Sequence, residues 1–253
     1  MSNEVVSLEY VNPATALIRM HDEINKNTFT EELIKGIVET FTEAEDNLQC
    51  KCIVLTGFGN YFATGGTKDD LLTIQEGRSS FLDACSGGKN VYSIPLQCKI
   101  PVIAAMQGHA IGGGLAMGLF SDFVILSRES VYTASFMKYG FTPGFGSTCI
   151  FPEKLGRVLG EEFLMTARTY RGAQLEKRGI PFEVYPRSEV LKKALELAEL
   201  LAQKPRKSLE LLKKHLTADI KKKLPEMIEE ELKMHDETFH MPEVKQNILK
   251  LYG

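Results

Sequence analysis

Three short runs of uninterrupted apolar residues constrain this chain more than any other feature. They are CIVLT at 52–56, PVIAAM at 101–106 and FVIL at 123–126. A half-exposed strand alternates apolar and polar residues; a run without alternation fits a strand buried on both faces. Each run ends in a turn containing Gly or Ser, and a helical stretch separates it from the next. This rhythm predicts an α/β core with mostly parallel strands. Upstream, 5–10 and 14–20 are β-rich and flank Val11-Asn12-Pro13, which predicts a hairpin. Thr30 supplies a capping hydroxyl before Glu31 and Glu32, and Leu33, Ile34, Ile37, Val38 and Phe41 then recur at helical spacing. The stretch 79–93, broken by Ser86-Gly87-Gly88, reads as a surface loop.

Beyond residue 186 the pattern is helical throughout: 187–203, 206–220, 224–239 and 242–251, punctuated by Pro186, Pro205, Pro225 and Pro242. We therefore place a soft boundary there, with an α/β core at 1–186 and a helical subdomain at 187–253. The 253 residues are 43% hydrophobic and 25% charged, which excludes a disordered or fibrous chain. A net charge of −3 gives no global basic excess for nucleic acid. Five cysteines, two of them spaced CxC, make neither a disulfide framework nor a zinc site, and read as idle thiols in a reducing cytosol. The first residues do not look like a signal peptide, and no apolar run is long enough to span a membrane. The expectation is a cytoplasmic protein.

Two glycine segments carry the chemistry. Thr64-Gly65-Gly66-Thr67 follows the first buried run. Gly108-His109-Ala110-Ile111-Gly112-Gly113-Gly114 follows the second and precedes a helix at 115–120. A strand–glycine–helix junction exposes backbone N–H groups where the helix dipole favours negative charge. Two such junctions brought together can form an oxyanion hole for one oxygen that gains charge. A dinucleotide fingerprint is not matched by the spacing, and no P-loop is present. The plainer alternative is that the glycines only allow tight packing.

Ile228, Leu232, His235 and Phe239 share one face of the 224–239 helix, while Glu229, Glu230, Lys233, Asp236 and Glu237 cover the rest. His235 thus faces inward, and His240 lies at the end of the helix. By its residues alone, His235 reads more readily as a core histidine than as a functional one. Between 204 and 223 eight basic residues face two acids. That is either a solvated helix surface or a docking surface for an acidic partner.

Phe62-Ala63-Thr64-Gly65-Gly66-Thr67-Lys68, the 101–114 segment and Gly140-Phe141-Thr142-Pro143-Gly144 resemble the crotonase (enoyl-CoA hydratase/isomerase) superfamily, in order and over nearly the whole chain. The resemblance implies a spiral of ββα units, a C-terminal helical trimerisation region, and a homotrimer or hexamer. It implies an acyl thioester whose carbonyl is polarised by the N–H groups of Gly66 and Gly113. Hydratases of the family carry two glutamates where this chain has Ala116 and Phe136. Neither residue can act as general acid or base, so hydration is a poor reading.

Tyr132 to Gly144, Tyr170-Arg171-Gly172 and Lys204-Pro205-Arg206-Lys207-Ser208-Leu209 are similar to the decarboxylating crotonases of polyketide β-branching cassettes, of bacillaene and curacin type. That likeness implies decarboxylation of a 3-methylglutaconyl group to 3-methylcrotonyl on an acyl carrier protein, with the substrate on phosphopantetheine and no further cofactor. It places the catalytic histidine at His235. It also implies an apolar pocket from Ala116, Phe136 and Met137. The curacin-type enzyme has a tyrosine and a lysine where this chain has Asp70 and Ile74; Lys68, Lys89 and Lys138 are the candidates to replace that lysine. His109, within the second glycine segment, is either a binding residue or a turn residue bonded to backbone. The alternatives are an enoyl thioester isomerase or hydratase, and a catalytically inactive carrier-binding component.

Overall fold

The computed structural model describes residues 5–78 and 90–252. The hairpin forms as predicted, with β1 (Val6–Asn12) and β2 (Thr15–Met20) antiparallel. α1 (Glu31–Asp46) starts where the Thr30 hydroxyl accepts from the Leu33 N–H at 3.2 Å.

The chain then repeats one excursion three times. β3 (Cys52–Thr56) and β4 (Tyr61–Ala63) lead into α2 (Lys68–Gln75). A 3-10 turn (Val91–Ser93) and α3 (Ile94–Gln97) follow. β5 (Val102–Met106) and β6 (His109–Ile111) lead into α4 (Gly113–Leu119). β7 (Phe123–Ser127) and β8 (Val131–Thr133) lead into α5 (Phe136–Tyr139). The longer strands lie in a six-stranded sheet ordered β1-β2-β3-β5-β7-β10, and the shorter ones in a four-stranded sheet ordered β4-β6-β8-β9. Each unit thus contributes one strand to each sheet, giving the spiral of ββα units.

After α6 (Ser147–Leu155) and α7 (Arg157–Thr166) come β9 (Tyr170–Arg171), α8 (Gly172–Lys177) and β10 (Glu183–Tyr185). The C-terminal helices are α9 (Arg187–Ala202), α10 (Arg206–Leu216), α11 (Ala218–Thr238) and α12 (Pro242–Leu251).

The apolar runs are explained by burial on both faces. Cys52, Val54, Ile103, Ala105 and Ile125 pack against Val190, Ala194 and Ala198 of α9. Ile53, Leu55, Val102 and Ala104 face the main core with α1 and α4. Each such Val, Ile or Leu side chain contributes roughly 1.5–3 kcal/mol. α9 therefore completes the layering of the α/β core, although it lies beyond residue 186.

Three features depart from the sequence reading. The short strands β4, β6 and β8 are absent from it, because three residues are too few to show alternation. α10 ends at Leu216, and α11 then runs unbroken through Pro225 instead of starting at 224. Pro225 is exposed; its ring removes one backbone hydrogen bond from the helix interior, yet the helix continues through it. Of the loop expected at 79–93, residues 79–89 lie outside the described residues. Asn90 caps the 3-10 turn, its side chain accepting from the Tyr92 N–H at 3.1 Å.

Two members of the basic stretch face inward. The Arg206 guanidinium donates to the carbonyls of Glu45 at 2.6 Å and Cys50 at 2.8 Å, and pairs with Glu210. Lys213 is buried, with Nζ 2.7 Å from Asp122 and further bonds to the carbonyls of Pro95 and Ile100. Together they fasten α10 to the core. Cys50, Cys52 and Cys98 are buried free thiols, and Cys85 lies outside the described residues. Among the described residues no helix is long and apolar enough to cross a membrane.

Candidate active site

The two glycine segments meet. A Cβ built on Gly65, whose φ is +83°, would lie 3.1 Å from the Ile111 carbonyl oxygen and 3.4 Å from the Gly113 nitrogen. Gly113 opens α4, so its N–H has no acceptor within the helix. It must be glycine: a Cβ there would stand 2.3 Å from the Tyr92 ring. The Gly65–Gly66 peptide is held from its other side, because the Gly65 carbonyl accepts from the Phe29 N–H at 2.8 Å. In a trans peptide that bond points the Gly66 N–H the opposite way. Gly66 and Gly113 both line one small cavity of about 60 Å³.

Aromatic rings form much of the wall of this cavity, with Phe29, Tyr92, Phe136, Tyr139, Phe141 and Phe145 among them. Asp70 and Ile74, on α2, line it as well. The Asp70 carboxylate accepts from the Thr67 hydroxyl at 2.5 Å, so the N-cap of α2 engages it. No described lining residue carries a positive charge. Lys68 and Lys138 are not among the lining residues, and Lys89 lies outside the described residues.

The structure brings together Gly66, Gly113, Phe136, Asp70 and Ile74, but not the other predicted residues. Ala116 is fully buried inside α4, behind the wall. Met137 is 42% exposed and points away from the cavity lining. His109 lies on β6, not in a turn. Its Nδ1 accepts from the Val131 N–H at 3.1 Å and its ring meets the edge of Tyr61, so it ties the second sheet together rather than facing a substrate. Burial, then Arg187 and Arg171, hold its pKa below the usual imidazole value.

α11 presents a second set of groups. Leu224, Glu231, His235 and Phe239 are buried and Ile228 and Leu232 half-buried, so the predicted stripe is real and His235 faces inward. His235 Nε2 lies 2.6 Å from the Thr142 carbonyl oxygen. Its ring makes edge contacts with Phe141 and Phe239, 6.1 and 6.0 Å between centroids. Phe141 lines the cavity; His235 sits one aromatic layer behind it. Burial pushes its imidazole down to about 4, against the opposing effects of Thr142 and Asp236. Gly144 makes room for this ring, since a Cβ there would fall 2.3 Å from His235 Cε1.

The same stripe carries Glu231, which no sequence motif marks. It is 1% exposed, one turn before His235, and accepts from the Gly146 N–H at 2.6 Å, the Thr148 N–H at 2.7 Å and the Thr148 hydroxyl at 2.6 Å. Thr238 bonds Thr142 from the same face, at 3.3 Å to its N–H and 3.2 Å to its hydroxyl. Glu231, His235 and Thr238, at successive turns, thus clamp the 142–148 segment that carries Phe145 into the cavity wall. The helical period alone places residue 231 on the buried stripe, and that signal was available in the sequence.

Residues 11–252 match the family model for enoyl-CoA hydratase/isomerase. Along its whole length the chain is 54% identical to the bacillaene synthase decarboxylase PksI of Bacillus subtilis, with 100% of both chains covered. A solved structure from work on a dehydratase/decarboxylase enzyme couple in polyketide β-branching superposes with a TM-score of 0.95 at 54% identity, covering 99% of this chain and 100% of that one. The ECH2 decarboxylase domain of CurF from Lyngbya majuscula superposes with a TM-score of 0.93 at 43% identity, covering 98% and 99%. The chain belongs to the enoyl-CoA hydratase/isomerase, or crotonase, family. Within that family its full-length likeness to these proteins makes it an enzyme of the decarboxylase type.

Proposed function

We propose that this enzyme decarboxylates a 3-methylglutaconyl group carried on an acyl carrier protein, in the β-branching of a polyketide. The observation that carries this reading is the meeting of Gly66 and Gly113 at one cavity, in a chain that has Ala116 and Phe136 where hydratases of the family carry glutamates. The acyl group arrives on a phosphopantetheine arm and no further cofactor takes part. The bond from the terminal methylene to the carboxylate breaks, and CO2 leaves. The electron pair spreads through the double bond into the thioester, so negative charge grows on the carbonyl oxygen. Two preorganised N–H donors stabilise that oxygen, and loss of one such donor costs about 3–4 kcal/mol.

The dienolate then takes a proton on the terminal carbon to give the 3-methylcrotonyl thioester. His235 is our choice of donor. It is neutral in the substrate-free protein; a carboxylate entering the cavity favours imidazolium, so substrate binding draws from solvent the proton that the dienolate later takes. Nε2–H stays bound to Thr142, so the proton taken up sits on Nδ1, and Phe141, which lies between the ring and the cavity, must give way for its delivery. Exposed Lys222 and Lys223, rather than buried Lys213, are where an acidic carrier would dock. Leu211, Leu212 and Leu216 of α10, all more than half exposed, support contact between copies in a trimer or hexamer. The test is to incubate the purified protein with 3-methylglutaconyl carrier protein and weigh the carrier. Loss of CO2 supports the proposal; an unchanged mass with a migrated double bond favours the isomerase, and no change at all favours an inactive carrier-binding component.

A further inference from the structure

α12 returns the end of the chain to the oxyanion loop. His240 Nδ1 lies 3.0 Å from the Gln75 carbonyl, Lys245 pairs with Glu76 at 2.9 Å, and the Asn247 amide donates to the Tyr139 carbonyl at 3.2 Å. α12 thereby bridges α2, which follows the first glycine segment, and α5, which forms the opposite wall. Just beyond its last turn, Tyr252 donates its N–H to Ile248 at 3.2 Å and turns its side chain into the cavity. Its ring lies 6.2 Å from that of Tyr139. Its hydroxyl donates to the carbonyl oxygen of Gly66.

Two hydrogen bonds therefore bracket the Gly66 N–H. The Phe29 N–H holds the carbonyl before it, and the Tyr252 hydroxyl holds the carbonyl after it. Glycine has more backbone freedom than any other residue, so Gly65-Gly66 depends on such restraints to keep one orientation. Preorganised donors are effective because they need not reorient during the reaction. Burial pushes the Tyr252 phenol well above its usual value, and the neutral O–H it retains is what donation to a carbonyl requires.

We infer that Tyr252 is a positioning residue: it acts through Gly66, fixing the direction of one oxyanion donor, and so couples the C-terminal helix to carbonyl activation. The inference rests on the oxyanion-hole reading above. Tyr252→Phe keeps the ring and its packing and removes only the hydroxyl, so the thermal midpoint should stay close to that of the wild type. The readout is the C=O stretch of a bound, unreactive acyl-pantetheine thioester, labelled with 13C at the carbonyl and followed by difference infrared spectroscopy. We expect the wild type to lower the stretch on binding, Tyr252→Phe to lose most of that lowering, and kcat for the carrier-bound substrate to fall on the order of 10-fold with KM little changed. A stretch equally lowered in both proteins overturns the role of Tyr252 and leaves the oxyanion hole standing. A stretch unmoved in the wild type overturns both.

Discussion

The Nε2 atom of His235 stands 2.6 Å from the carbonyl oxygen of Thr142. A carbonyl only accepts, so Nε2 carries the ring's proton. With its pKa held down to about 4, this imidazole is neutral across the neutral range. In the unfolded chain it titrates near 6.5, so below that pH the unfolded state binds more protons than the folded one. The contribution to stability is therefore full above about pH 6.5 and is lost as pH falls to about 4, by up to about 3 kcal/mol. Urea unfolding across that window should show the decline, and His235→Gln should flatten it. An unchanged slope in the variant would contradict the assignment.

Substrate binding should run that linkage in reverse. If an incoming carboxylate draws a proton onto His235, binding near neutral pH takes up a proton from solvent. Calorimetry of an unreactive glutaconyl thioester in buffers of different ionisation enthalpy measures the uptake. We expect up to about one proton per site in the wild type and much less in His235→Gln.

Glu231 accepts hydrogen bonds from the backbone N–H groups of both Gly146 and Thr148. Glu231→Ala would leave those groups without their acceptor, at about 1–3 kcal/mol each. We expect a loss of several kcal/mol in chemical denaturation, and a larger fall in kcat than in substrate affinity, because the clamped segment also carries Thr142. Stability within about 0.5 kcal/mol of the wild type would refute the clamp.

The basic stretch divides into two roles. Lys213→Met removes the partner of Asp122 at a nearly buried site and should destabilise by about 3–5 kcal/mol. Reversing Lys222 and Lys223 to Glu should leave stability within about 0.5 kcal/mol and slow turnover of carrier-bound substrate but not of a free pantetheine thioester. Equal effects on the two substrates would remove this surface from carrier docking.

What was legible in the sequence was what local chemistry decides. The run at 52–56 fits a strand covered on both faces, Thr30 marks the start of its helix, and the helical period turns His235 inward. What stayed hidden depends on tertiary contact. Tyr61 to Ala63 is too short to carry a period. Glu231 falls on the buried stripe by helical period, but its partners, the backbone N–H groups of Gly146 and Thr148, lie more than eighty positions away. Tyr252 meets Gly66 across 186 positions of sequence, a pairing no local pattern encodes. His109 looked close to the pocket because it lies between glycines, yet β6 carries its ring to the backbone of β8.

The most direct test is release of labelled CO2 from 3-methylglutaconyl carrier protein bearing 13C in its free carboxyl, measured by single-turnover mass spectrometry for the wild type and His235→Ala in parallel. We predict that the wild type releases the label and leaves a 3-methylcrotonyl carrier, and that His235→Ala forms that product on the order of 100-fold more slowly. Label retained on the carrier by the wild type, or full activity in His235→Ala, would contradict the account.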